Sequence, residues 1–495
     1  MNKYLLELTV FICGASVMVL ELAGSRILAP YVGTSLVVWT SLIGIILGSL
    51  SLGYYLGGKY ADKGTPANQK LGLIIFISSI FVITILILRT PIMLFLPQIT
   101  ANLALQAVMA TILLFALPSV FLGMVSPYAA KLKIESIKKA GGAVGNLYAL
   151  STLGSIFGTF LAGFYLIAAF SLPQIVLGIG VILFLNALLL SLKKNFFKLG
   201  LIFFLSFLTA YLTQDLLQSS KVLVTNTLYN SVTIFDTVDG VTQKPVRVMS
   251  LDNKYDSGMF LESEDMAFEY TKFYRMAKHI NPDLKRVLVI GGAGYSIPKD
   301  FLNNYPDVRV DVVEIDPELT ELAKKYFNLK DNPRLNTYHE DGRTFINRTA
   351  EGGKEKYDAI FIDAFKSYSM PFQLTTKEFI NRLSDSLNDD GVVITNIISA
   401  IEGDTGKFLQ AEYKTYTSVF PKVYLFPITD PQDPYLIQNV IFLGTKNNNL
   451  NVTEILKDNP EDYLSHLWQK EVLPSSVILT DDYAPVDQYF LNASL

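Results

Sequence analysis

Val287-Leu-Val-Ile-Gly-Gly-Ala-Gly-Tyr295, followed by Val312-Val-Glu-Ile-Asp316, decides how the second half of this chain is read. An apolar run enters a glycine turn, a helix-length segment follows, and the next apolar run stops on an acid. A nucleoside needs this order of parts. Glycines let the backbone approach the ligand, and a carboxylate about twenty residues later can grip the ribose hydroxyls. Glycine turns also end ordinary strands, so Gly291, Gly292 and Gly294 take their meaning from Glu314 at that interval. Together they predict a nucleoside site.

Around this stretch the pattern alternates. Strands are expected over 286–290, 309–314, 335–338, 358–362 and 391–396, with helices over 296–304, 317–326 and 375–387. Such alternation predicts a parallel sheet with its ligand site at the C-terminal ends of the strands. Upstream, Tyr229–Phe235 and Val246–Leu251 alternate and turn as a small β-hairpin region, and a helix is expected over 263–279. Two acids sit at strand ends. Asp341, next to Gly342, could hold an adenine amino group. Asp363 closes the run Tyr357-Asp-Ala-Ile-Phe-Ile-Asp363. Burial opposite the glycine turn would raise its pKa toward that of a useful base. A helix cap or a loop acid is the competing reading.

The first half is different in kind. The 495 residues are 50% hydrophobic and only 17% charged, with mean hydropathy +0.34. Apolar runs near 5–24, 36–57, 71–88, 103–122, 146–169 and 173–192 approach the length needed to span a bilayer. The first is too long, and too lightly charged before it, for a cleaved signal peptide. The expectation is an N-terminal multi-pass α-helical membrane domain, 1–214, fused to an α/β Rossmann-like domain, 221–495, that opens with the β-hairpin region. Lys59, Lys63 and Lys70, then Lys131, Lys133, Lys138 and Lys139, then Lys193, Lys194 and Lys198 follow alternate runs, which places the N-terminus in the cytoplasm. A seventh run, Leu199–Thr213, is short. Six spans plus an interfacial segment keep the second domain in the cytoplasm, where a nucleoside is found, and seven would put it outside; the first arrangement is the one read here.

Glu21 and Arg26 fall near the end of the first run, where a functional role and a mutual or headgroup pairing are both open. Gly44, Gly48, Gly53, Gly57 and Gly58, with Gly154, Gly158 and Gly163, are read as helix-packing positions. The net charge of −4 gives no hint of nucleic acid, and the single cysteine, Cys13, allows no intramolecular disulfide and no cysteine-based metal site.

Taken together, these motifs resemble the spermidine synthase (polyamine aminopropyltransferase) family, within the wider class of S-adenosylmethionine methyltransferase-type folds. The resemblance spans about 225–400 and rests on Leu228-Tyr-Asn230, Val287–Gly294, Val313-Glu-Ile-Asp316, Glu340-Asp-Gly342, Asp358–Asp363 and Pro371 ahead of Leu374–Phe379. Glu21–Pro30, Trp39, Gly57–Asp62 and Leu479–Pro485 are similar to its membrane-anchored branch.

The resemblance implies decarboxylated S-adenosylmethionine, or S-adenosylmethionine itself, as donor, an amine such as putrescine as acceptor, and no metal. Glu314 would bind the ribose and Asp341 the adenine, with Asn230, Gly342 and Pro371 on the donor side. Tyr229, Asp256 and Lys366 would line the acceptor side. Asp363 matches the first acid of an Asp-x-x-Asp pattern and would accept the proton. A lipid bilayer is the implied surroundings, and a homodimer is left open.

Two departures count against the usual reaction. Gly294 stands where the family has an aspartate that holds the donor's amino group, and Lys366 replaces the second acid. The segment Ser263–Tyr270 matches only loosely. Asp256, Asp481 or Asp482 could restore the lost negative charge. Otherwise Lys366 could meet a donor carboxylate or a lipid phosphate, in a transferase acting on a membrane-soluble acceptor. A non-catalytic transporter or sensor is the third reading.

Overall fold

The computed structural model describes residues 4–33, 35–63, 66–134, 140–191, 196–218, 222–351, 356–364, 371–457, 459, 461–473 and 475–492. The chain divides into two compact units, Met1–Val232 and Thr233–Leu495.

The first unit is helical. α1 (Leu5–Val32), α2 (Leu36–Asp62), α3 (Asn68–Ile99), α4 (Leu103–Lys133), α5 (Ala140–Ala169) and α6 (Leu172–Ser191) are each long and apolar enough to cross a membrane. The seventh run is the apolar middle of a longer helix, α7 (Phe196–Gln218), whose apolar part, Lys198–Thr213, is shorter than the other six. α1 also exceeds its expected length. It runs through Pro30, whose missing N–H costs only one ladder bond, and stops at Gly33 with φ +79°. Glu21 and Arg26 are therefore interior to the helix rather than at its end.

Close packing explains some of the glycines. A Cβ on Gly53 or Gly57 would fall under 3.0 Å from the α4 backbone, and one on Gly154 or Gly158 under 3.0 Å from that of α1. Gly44, Gly48, Gly58 and Gly163 have nothing within 4 Å, so packing accounts for only half of the glycines expected to serve it. Among the described residues the α-ladder is interrupted twice by π turns, Ile112–Ala116 in α4 and Ala162–Leu166 in α5.

β1 (Leu223–Asn226) closes the first unit. β2 (Ser231–Val238), β3 (Pro245–Leu251) and β4 (Lys254–Phe260) follow one another in a small sheet. β3 and β4 pair antiparallel through Asp252-Asn253, both left-handed at φ +48° and +65°, as a tight hairpin turn requires. The helix expected over 263–279 begins only at Glu269. Met266 forms a bridge to Met259, which draws the segment before the helix onto β4.

The main sheet contains β5 (Arg286–Ile290), β6 (Arg309–Val313), β7 (Leu335–Tyr338), β8 (Tyr357–Ile362), β9 (Leu387–Ser399), β10 (Lys422–Pro427) and β11 (Gln438–Thr445). Their order is β10–β11–β9–β8–β5–β6–β7. The five strands from β9 to β7 pair in parallel, and β11 runs antiparallel to both β9 and β10. β9 is longer than expected because this antiparallel partner extends it to Ser399.

Helices α8 (Ser296–Asn304), α9 (Pro317–Tyr326), α10 (Gly342–Glu351), α11 (Lys377–Ser386) and α12 (Lys407–Thr417) connect the strands. One face buries Leu288, Ile290, Ile360 and Ile362 against Phe345, Phe379 and Phe408. The other buries Val287, Val289 and Phe361 against Ile297, Phe301 and Ala323. Burial on both faces is why β5 and β8 read as continuous apolar runs rather than alternating ones. After β5 the chain adds β6 and β7 on one side, then returns to add β8 on the other. The crevice at that reversal, outside the ends of β5 and β8, is where such sheets take ligands.

Candidate active site

Three residues step off the sheet together. Gly291 N–H donates to Val313 O at 2.9 Å, Asp363 N–H to Ile290 O at 2.9 Å, and Glu314 N–H to Tyr338 O at 3.0 Å. Each is the first residue past its strand, so the register of β5, β6 and β8 sets their spacing. Gly291 has φ +98°, and a Cβ there would lie under 3.0 Å from the carbonyl of Asp363. Only glycine fits between the two strand ends. The loop goes on through Ala293 and Tyr295, both left-handed without being glycine, at φ +41° and +56°. Backbone strain of this kind gathers at ligand sites. Buried Tyr295 holds the turn, with its hydroxyl 2.7 Å from Thr320 Oγ1.

Glu314 is buried beneath this loop. Its Oε2 accepts from the N–H groups of Gly292 (2.8 Å) and Ala293 (2.9 Å), and its Oε1 from that of Asp316 (2.9 Å). Burial raises its pKa and the three backbone donors oppose the rise. Asp316 in turn caps α9, accepting from Glu318 N–H at 3.2 Å.

Asp363 is only partly buried and is held less firmly. Oδ2 accepts from the Tyr270 hydroxyl at 3.2 Å, and Oδ1 from Asn396 Nδ2 at 3.1 Å. Asn396 is steadied by Asn439 Nδ2 at 3.0 Å. Burial lifts the carboxyl from 3.8 to about 6, against the pull of these two donors. Burial, and then the charge of Asp363, keep Tyr270 protonated well above the usual phenol range, so it remains a donor.

A cleft opens over these groups, lined by Asp256, Ser257, Phe268, Tyr270, Ala293 and Asp363 among others. Ser257 Oγ accepts from Gly294 N–H at 3.0 Å, and a Cβ on Gly294 would lie under 3.0 Å from the Ser257 side chain. An aspartate at 294 would have to displace Ser257, which gives the departure at that position a steric cause.

Not every expected residue joins this cluster. Asp341 Oδ1 accepts from Thr344 N–H at 3.0 Å and caps α10, while Gly342 packs on the Ile290 side chain. Pro371 opens a 3-10 turn, its carbonyl 2.8 Å from Leu374 N. Tyr229 and Asn230 belong to the first unit, where both backbone N–H groups donate to Thr227 Oγ1, at 3.1 and 2.9 Å. Asp481 is taken up by Arg343 at 2.7 Å and by the Thr376 hydroxyl at 2.6 Å. Lys366 lies outside the described residues.

Sequence reading missed Tyr270, Ser257 and Asn396. Asn396 carried a usable signal, since it ends the apolar run Val392-Val-Ile-Thr395 as Asp363 ends its own strand.

A parallel sheet that reverses beside a glycine turn, with an acid at the next strand end, defines a Rossmann-like fold of the methyltransferase type. Residues 268–453 match the family model described as the spermine/spermidine synthase domain. That match lies within the α/β unit and covers less than half of the chain. The polyamine aminopropyltransferase of Vibrio vulnificus (strain CMCP6) is 34% identical over 166 residues, 34% of this chain and 53% of that protein. A second, from Alkaliphilus oremlandii (strain OhILAs), is 29% identical over 223 residues, 43% of this chain and 74% of that one. The chain spans about half the length of some of the curated relatives it matches, 53% and 49% in two cases. A solved structure described as a probable spermidine synthase from Corynebacterium glutamicum ATCC 13032 aligns at 22% identity and TM-score 0.39, covering 46% of this chain and 84% of that one.

Proposed function

We propose that the chain is a membrane-anchored aminopropyltransferase. It would move an aminopropyl group from decarboxylated S-adenosylmethionine to an amine such as putrescine, with its α/β unit in the cytoplasm. The observation that carries this reading is Asp363, a partly buried carboxyl with a pKa raised to about 6, facing a cleft that also contains Asp256. The lone pair of a neutral amine attacks the methylene carbon next to a sulfonium. The C–N bond forms as the C–S electrons leave with sulfur, releasing 5′-methylthioadenosine, and the amine's proton passes to Asp363. Above its pKa Asp363 is a carboxylate ready for that proton, and Tyr270 and Asn396 hold it in position.

On the donor side, the close approach of Gly291 and its neighbours suits a nucleoside lying over the loop, with Asp341, Gly342 and Pro371 as further contacts in this reading. Glu314 already receives three N–H bonds, so the ribose hydroxyls would use its remaining lone pairs.

One observation favours the second reading, S-adenosylmethionine itself with a membrane-soluble acceptor. Ser257 occupies the space next to Gly294, and the loop lacks the family's amino-holding acid. Against it, Asp256 and Asp363 share a cleft whose described lining holds no lysine or arginine, which suits a cationic acceptor.

The test is purified full-length protein incubated with each donor and a panel of amines, with products identified by mass spectrometry. Aminopropylated amine from the decarboxylated donor alone supports the first reading, and methyl or other transfer from S-adenosylmethionine replaces it with the second. Orientation is tested separately. A cysteine introduced at Asn451 should escape membrane-impermeant reagents in intact cells and react after lysis.

A further inference from the structure

We propose that the helical unit holds a second binding site, centred on Glu21 of α1, for an organic ammonium ion. Glu21 lies in the interior of this 28-residue helix and is 9% exposed. Its neighbours at helical spacing, Val17, Met18, Gly24 and Ser25, are all uncharged, so α1 itself supplies no counterion. Glu21 has no hydrogen-bond or ion-pair partner among the described residues. The pairing with Arg26 left open by the sequence is not made, and the Arg26 guanidinium donates to the carbonyl of Leu228. A lone carboxylate inside a bundle of apolar helices is costly and calls for a proton or a cation.

The turns of α1 before and after Glu21 are closely packed. One contact toward the helix N-terminus, Ala15 packs on Gly158 of α5; on the other side, Gly24 packs against Leu42 of α2 and Phe115 of α4. Phe115 belongs to one π turn, and the other, Ala162–Leu166, also packs on α1. Both interruptions thus fall beside the helix that carries the acid, and such turns are often found at functional sites. A π turn takes a backbone carbonyl out of the regular ladder, adding an acceptor. The nearby Ser25 hydroxyl is spent on Leu22 O at 2.9 Å. Glu21 and the freed carbonyls are acceptors, and no described residue donates to Glu21. An ammonium group, with several N–H donors and a positive charge, complements that set more fully than a single proton does.

The site stands on this geometry; only the choice of a diamine as probe rests on the aminopropyl-transfer reading. The test uses the full chain in detergent or nanodiscs. A hydrophobic carbodiimide adds across a buried carboxyl to give an acylurea, which peptide mass spectrometry locates. Labelling of Glu21 should fall at least tenfold in saturating putrescine and stay constant in sodium chloride of equal ionic strength. Radiolabelled putrescine should also bind with one equivalent fewer in Glu21→Gln, which keeps the wild-type elution profile and methylthioadenosine binding. Equal putrescine stoichiometry in Glu21→Gln and wild type, or labelling that no amine displaces, overturns the site. Protection of Glu21 in a chain without transferase activity would leave this site standing and remove the proposed function. Transferase activity without protection would do the reverse.

Discussion

Asp311 and Glu314 in the α/β unit and Glu21 in the helical unit are buried acids and Asp363 is a partly buried one, and they differ in the donors aimed at them. Asp311 receives Arg286 and the Tyr357 hydroxyl on Oδ2, at 2.9 and 2.8 Å, and Asn336 on Oδ1 at 2.8 Å. Glu314 receives three backbone N–H groups, Asp363 two neutral side chains, and Glu21 none among the described residues. The series runs from structure to chemistry. An acid whose lone pairs are met by a cation and two further donors is fixed as part of the sheet. One that clamps a loop shapes a site. One held by two neutral donors keeps capacity for a proton, and one with no partner has all of its capacity left for a ligand.

The strongest way to break this ordering is at Asp363. Asp363→Asn should cut turnover by roughly 10²–10⁴-fold while methylthioadenosine still binds. In the wild type, kcat/KM should fall on the acid side of about pH 6, where the carboxyl becomes protonated. Turnover close to wild type in the variant would remove Asp363 from the chemistry.

Next in size is Asp311→Ala, which takes the acceptor from three donors, Arg286, Asn336 and the Tyr357 hydroxyl, and should cost about 3–5 kcal/mol in denaturant unfolding of the α/β unit. A loss under about 1 kcal/mol would show that the number of donors does not measure structural weight.

The third prediction concerns pH and stability. Burial raises Asp363 from 3.8 in the unfolded chain to about 6. Its contribution to stability is therefore fully present below pH 3.8 and lost as pH rises through about 6. Asp363→Asn should not lose that contribution, and should exceed the wild type at pH 8 by at most about 3 kcal/mol. Parallel stability curves for the two proteins between pH 4 and 8 would contradict the burial argument.

The smallest effect is expected from Glu314→Ala. Losing charge-assisted ribose contacts of about 1.5–3 kcal/mol should weaken methylthioadenosine binding about ten- to a hundredfold by calorimetry. Equal affinity would mean that Glu314 serves the loop alone.

Local features were the legible ones. α8 and α9 lie at their expected bounds, 296–304 and 317–326, and for α9 Asp316 and Pro317 mark its start in the chain itself. Gly291 and Glu314 could be paired because their interval is a property of one strand–helix–strand unit. What escaped depends on distant partners. β9 reaches Ser399 only because β11 lies beside it, and Met266 leaves its expected helix for Met259. Tyr270 meets Asp363 across 93 positions of sequence, and Asp481 turns to Arg343 across 138, so neither role could be read from neighbouring residues.

β11 has a consequence for how the α/β unit is built. It is the latest strand of its sheet in the chain, yet it lies between β9 and β10 and bonds to both. Until it arrives, β10 has no partner in the sheet and β9 presents a bare edge of apolar residues, open to pairing with another chain. Closing that gap is a long-range event of the kind that slows folding. A protease cut within 428–437 would separate the closing strand from the one it secures, and aggregation would be expected to begin at β9.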